Sequence, residues 1–154
     1  MAEDSVCLIM KVIQKPLMKK PEVDLQQCPT REIIVLPDLS LYDFAEAIVK
    51  SFDFFFDHCF GFYDNLEDSL RSREGYELFF DIGEESDYGS VEQTSIQEAF
   101  PRDGKKMLFL FDYGDKWHFI VERARTMPIY PNIKYPQVYS HSLDPFPQYP
   151  DFDE

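Results

Sequence analysis

The chain has 154 residues, 44% of them hydrophobic and 16% aromatic, enough to bury a core within a single domain. Its 29 Asp and Glu against 15 Lys and Arg leave a net charge of −14, which repels phosphate backbones and anionic headgroups, so direct binding to duplex nucleic acid or to a membrane surface is disfavoured. Cys7, Cys28 and Cys59 have no CxxC spacing and fit neither a disulfide framework nor a cysteine zinc site. The start MAEDSVCLIMKVIQK carries acids where a signal peptide carries bases, and no apolar run has the length of a membrane span; a cytoplasmic protein is expected.

In chain order, Ser5 to Gln14 alternates Val6, Leu8, Met10 and Val12 on one face while Cys7, Ile9 and Ile13 keep the other face apolar, the pattern of an inner strand covered on both sides. Lys15 to Pro29 carries three prolines and reads as an irregular excursion before a second short strand at Ile33 to Leu36. Leu41, Phe44, Ala45, Ile48, Val49 and Phe52 then recur at helical spacing. Ser40 is placed to cap this helix, Asp43 to complete a capping box, and Leu39 and Phe44 to form a hydrophobic staple.

Phe54 to Tyr63 reads as a turn leading into a strand, with Phe54, Phe55 and Phe56 as core residues, and Tyr76 to Ile82 as another strand. Thr94 or Ser95 caps a short helical turn through Phe100, closed by Pro101 and Gly104. Met107 to Phe111 is the most hydrophobic run. After it, Trp117, Phe119 and Val121 alternate with polar positions, and the four residues between, Asp112 to Asp115, contain a Gly able to take the left-handed conformation of a tight reversal: a β-hairpin. Past Met127 the prolines exclude helix and inner strand, while Tyr, Phe and Ile argue for extended packing on the domain, with the acidic end YPDFDE frayed. The order predicts an α+β fold with a largely antiparallel sheet, a well-capped helix at about 40–52, a short helix at about 95–100 and a hairpin at about 106–123. Residues 1–126 form one domain on this reading, and 127–154 a Pro- and Tyr-rich acidic tail packed on it in part.

Three segments, LSLYDFAEAIVKSFDF, DHCFGFYDN and KKMLFLFDYGDKWHFIVE, resemble the plasmid pRiA4b ORF-3-like family, over about Ile33 to Glu122. The family pattern of a strand followed by Asp, an aromatic, Gly, Asp, any residue and Trp falls on Asp112, Tyr113, Gly114, Asp115, Lys116 and Trp117, and the family's His after the first helix on His58. Two features of many members are missing: the Pro, Trp and Arg motif near the start, where this chain has KPLMKK, and the Cys- and Pro-rich end after a Tyr-Pro pair. The resemblance implies a mobile-element association and a fold rather than a mechanism.

Two readings of the motif stand side by side. Asp112, Asp115 and His58, with His118 nearby, are the residue types of a divalent-metal or acid-base site, as in a metal-dependent hydrolase linked to nucleic-acid or mobile-element biology. Against it, an Asp at either end of a glycine turn ordinarily caps backbone N–H groups, and Trp117 and His118, adjacent on a strand, face opposite ways. With no complete catalytic constellation and no cofactor named by the sequence, the expectation is a non-catalytic module that binds another protein near the hairpin, through a surface that includes His58, Asp112, Tyr113, Gly114, Asp115, Trp117 and His118.

Overall fold

A computed structural model describes residues 6–17 and 24–149; Ser5 of the first expected strand, the basic cluster around Lys19 and Lys20, and the acidic end from Pro150 lie outside them. Among the described residues seven strands form one sheet in the order β4-β3-β5-β6-β1-β2-β7, with every pair antiparallel. The strands are β1 (Val6–Gln14), β2 (Thr30–Val35), β3 (Phe60–Tyr63), β4 (Gly75–Glu77), β5 (Lys106–Phe111), β6 (Trp117–Pro128) and β7 (Gln137–Ser142). The one long helix is α1 (Leu41–Ser51), followed by single turns α2 (Leu78–Asp81) and α3 (Ile96–Ala99). The fold is α+β, and β1 is an inner strand between β2 and β6. No helix of the described residues is long and apolar enough to cross a membrane. Cys7, Cys28 and Cys59 are free thiols.

The period-two pattern of each strand sorts its side chains onto two faces. Leu8, Met10 and Val12 of β1, Phe60 and Phe62 of β3, Met107, Phe109 and Phe111 of β5, and Trp117, Phe119 and Val121 of β6 form one cluster with the apolar stripe of α1. Aromatic rings dominate it: Phe109 lies 4.8 Å from Phe62 and 5.6 Å from Phe119, and Phe54 stands edge-on to Trp117 at 5.0 Å. On the opposite face the buried residues divide into a patch of Tyr63, Leu108, Leu110 and Ile120 and a patch of Cys7, Ile9 and Ile34. Loop residues Leu66, Tyr88 and Tyr135, with Met127 near the end of β6, cover these patches.

The α1 cap is half of what the sequence suggests. Ser40 Oγ accepts the Asp43 N–H at 3.0 Å, but the reciprocal box forms at α3, where Ser95 and Glu98 each take the other's backbone N–H. Aspartate is one methylene shorter than the Glu or Gln the box requires. Leu39 packs against the main cluster, of which Phe44 is a member.

Three further expectations need correction. The strand foreseen over Tyr76 to Ile82 ends at Glu77 and turns into α2, whose Asp81 carboxylate accepts the Val91 N–H at 2.8 Å and the Ser90 hydroxyl, tying the helical turn to the next loop. Phe55 is not core: between buried Phe54 and half-buried Phe56 its ring turns outward. The hairpin joins β5 to β6 as expected, but β6 runs on to Pro128, and the left-handed residues of its five-residue loop are Asp112 (φ 70) and Lys116 (φ 60), not Gly114. Asp tolerates that conformation because its side chain bonds to the backbone locally.

The segment after Met127 contributes more than loose packing. Tyr135 fastens the reversal between β6 and β7 by accepting the Tyr130 N–H at 3.0 Å, and β7 then pairs with β2 as an edge strand. Arg31 closes that edge: its guanidinium, over the Phe52 ring at 4.7 Å, donates to the carbonyls of Ser51, Ser142 and Leu143.

Candidate functional site

The loop between β5 and β6 is built on Asp112. Its N–H donates to Cys59 O at 2.9 Å, its carbonyl accepts the Lys116 N–H at 2.5 Å, and its Oδ1 accepts the N–H groups of Gly114 and Asp115 at 3.0 and 3.2 Å. One buried carboxylate thus caps the whole reversal, and its second oxygen, Oδ2, lies 3.4 Å from His58 Nε2. His58 is placed there by the strand start that follows it, its ring edge-on to Phe111 at 5.9 Å. Asp57 Oδ1 stands 3.4 Å from the same nitrogen and the Tyr149 hydroxyl 3.1 Å from it.

Of the residues singled out in the sequence, His58 and Asp112 therefore meet. Asp115 is exposed at the loop tip with its backbone N–H on Asp112, and among the described residues no group of three or more His, Cys, Asp and Glu side chains has the geometry to hold a metal ion. Trp117 is buried in the main cluster, its indole N–H donating to Gln148 O at 3.3 Å. His118, half-buried, follows it on β6, and its carbonyl accepts the Lys15 N–H at 3.0 Å. Gly114 is exposed, and a Cβ there would come 3.2 Å from Asp112 Oδ1.

Tyr113 belongs to a second arrangement, on the face away from α1. The Tyr63 hydroxyl donates to Glu77 Oε2 at 2.5 Å and lies 2.6 Å from the Tyr113 hydroxyl, while Ser86 donates to Glu77 Oε1 at 2.6 Å. Tyr63 has one proton and gives it to Glu77, so Tyr113 supplies the proton shared by the two phenols. Burial, then the neighbouring phenol and the Glu77 carboxylate, push Tyr63 far above the ordinary tyrosine range; burial and Glu77 also push Tyr113 up. Both phenols are donors at any physiological pH. Gly61 makes room for them, since a Cβ there would sit 2.7 Å from one hydroxyl and 2.8 Å from the other. Phe79 of α2 lies against the Tyr113 ring at 4.8 Å, and the neighbouring Phe80 and Ile82 are exposed.

On the other flank lie residues that the sequence reading did not single out. Gln14, buried at the end of β1, and Gln148, buried in the tail, bind the segment 146–149 beside Trp117 and the stretch 54–59. The only signal was an uncharged polar residue closing a strand whose one charged member is Lys11, and a glutamine among prolines gives none. Tyr149 donates to Asp57 Oδ2 at 2.9 Å, and that bond, with burial and the charges of Asp57, Asp112 and Asp115, raises its pKa.

A model of the family described as plasmid pRiA4b ORF-3-like protein matches residues 23–144. Among solved structures the chain is similar to the crystal structure of a protein of unknown function, MM3350 from Methanosarcina mazei Go1, at 17% identity and a TM-score of 0.72, over 94% of this chain and 74% of that one. At that identity the likeness is one of fold. No curated protein matches the chain.

Proposed function

We propose that this chain, which belongs to the plasmid pRiA4b ORF-3-like family, is a non-catalytic protein-interaction module that presents the surface around the β5–β6 loop to a partner. One observation carries the reading: the segments that pack against that loop, through Phe79 on Tyr113 and His58 on Asp112, turn large apolar side chains to solvent, with Phe55 72%, Phe80 51% and Ile82 54% exposed. The loop between them is held by the Asp112 carboxylate, so the surface is set before anything meets it. Asp57, Glu84, Glu85 and Asp115 stand exposed among these residues, in a chain of net charge −14. Exposed apolar anchors in an acidic surround fit a basic, amphipathic protein surface, which the same field repels if it carries phosphates. A cytoplasmic setting agrees with three free thiols.

The test is a double substitution, Phe80→Glu with Ile82→Glu, at two exposed positions. The expected result is that the wild-type chain captures a protein from native lysate and the variant does not, with equal melting temperatures and a capture that weakens as salt rises. Recovery of background alone by the wild-type chain, or equal recovery by both chains, overturns the proposal.

A further inference from the structure

Beside the hairpin loop runs a groove that the chain fills with its own residues 146–149. Two glutamines hold the occupant by one device, an amide side chain paired with both polar groups of a single peptide unit or residue. Gln14 Nε2 donates to Phe146 O at 3.0 Å while Gln14 Oε1 accepts the Phe146 N–H at 2.8 Å. In the opposite sense, Gln148 Oε1 accepts the Phe55 N–H at 2.8 Å and Gln148 Nε2 donates to Phe55 O at 3.3 Å. Gln148 is 5% exposed, and Nε2 also reaches Asp57 Oδ1 at 3.1 Å while its backbone carbonyl accepts the Trp117 indole N–H at 3.3 Å. The next residue sets its hydroxyl between Asp57 and His58.

The groove wall thus comprises a backbone N–H and C=O, an indole N–H, a buried amide and a carboxylate, all contributed by β1, β6 and residues 55–58. The Trp117 indole and the Gln14 amide are buried and lose stabilisation if left unpaired, while the Phe55 peptide groups and the Asp57 carboxylate stand at the rim, so the groove selects whatever satisfies the buried pair and meets the rim groups as well. A glutamine side chain in an extended segment does so. The position after it looks onto Asp57, with Asp112 and Asp115 close enough to raise the Tyr149 pKa, and so favours a hydrogen-bond donor or a cation over an anion. Residues 143–147 that lead into the groove have no helix or strand, and past Arg31's bonds to Ser142 and Leu143 the hold on the tail is the set of contacts just described, with Phe146 packed against the core.

We infer that this groove is a peptide-recognition site, filled in cis by the chain's own tail and taken in trans by an extended segment of a partner protein carrying Gln followed by Tyr, Lys or Arg. The inference rests on the interaction-module reading and gives it a second, side-chain-specific element. A tethered segment competes at an effective concentration on the order of millimolar, so a partner that also engages the exposed residues around the loop displaces the tail where a free peptide of equal contacts barely competes.

Trp117 is the single Trp of the chain and its indole is bonded to the occupant, so its fluorescence reports whether the groove is filled. In the full chain, Gln148→Ala is expected to shift Trp117 emission to longer wavelength and raise its quenching by acrylamide. A synthetic peptide of residues 143–149 should then restore the wild-type emission saturably, and the same peptide with alanine for its glutamine should not. If Gln148→Ala melts at the working temperature, Tyr149→Ala, at an exposed position, loosens the strap and takes the same titration. Emission unchanged by the peptide up to about 10 mM, well past the tethered concentration, or both peptides acting alike, overturns the inference. The Phe80 and Ile82 substitutions lie outside the groove, so the two readings fail separately.

Discussion

The two faces of the sheet are built by different rules. Toward α1, one continuous cluster is closed by a helix whose stripe was specified by spacing, and nearly every member is an apolar side chain that needs only volume and burial. On the other face the buried patches are smaller and are covered by loops and the tail, with Tyr63, Tyr113, Glu77 and Ser86 bonded to one another. The first face supplies stability through area removed from water, where about 1.5–3 kcal/mol accompanies each large apolar side chain. The second is held by directional bonds, which contribute less each but fix positions. The hairpin loop, the exposed anchors and the groove depend on the loops that join the two.

The sharpest way to break this comparison is to truncate adjacent residues of β5. Phe109→Ala, facing α1 among four other rings, is expected to lower unfolding free energy by about 3–5 kcal/mol, and Leu110→Ala, facing the thinner patch, by about 2–3 kcal/mol, read by urea denaturation. Equal losses would mean that the faces are packed alike. Next in size, Gly61→Ala adds one methyl against two phenols that Glu77 holds in place, and should cost about 1–3 kcal/mol while exposing Tyr113 to solvent, measured by thermal melting and tyrosine accessibility. A neutral outcome would show that the phenol network yields.

The smallest effect appears only in alkali. Tyr63 and Tyr113 are raised in the folded chain, so the protonated phenol is favoured by folding; the stability this contributes is full below the free tyrosine pKa of about 10 and falls as pH climbs beyond it. Absorbance near 295 nm should therefore show the exposed tyrosines ionising first and a remaining group only as the fold is lost. A single transition near pH 10 with the fold intact would remove the distinction between the faces.

Legibility followed the same division. The α1 stripe, its Ser40 cap, the apolar runs of β1 and β5 and the hairpin were readable because burial on a regular element leaves a period in the sequence. The α2 turn was missed because YELFFDI alternates well enough for a strand, and the bonds that tie the turn down run from Asp81 to the 90–91 loop, outside that segment. Phe55 looked like its neighbours because composition does not say which of three successive aromatics turns outward. His58 and Asp112 were named from the motif, but not Asp57, Tyr149 and the glutamines that converge on the same place from distances of up to 132 residues along the chain.

By itself the sequence determined the α+β class, the antiparallel character, the acidic field and Asp112 as the local cap of a reversal, since each follows from composition or from interactions within a few residues. Only the tertiary structure decided that the left-handed positions fall on Asp112 and Lys116, that the proline-rich tail supplies an edge strand, and that Gln14 and Gln148 fasten its end over Trp117. Those outcomes depend on which polar groups the fold leaves buried without a local partner, and a buried amide takes its bonds from whatever part of the chain arrives there.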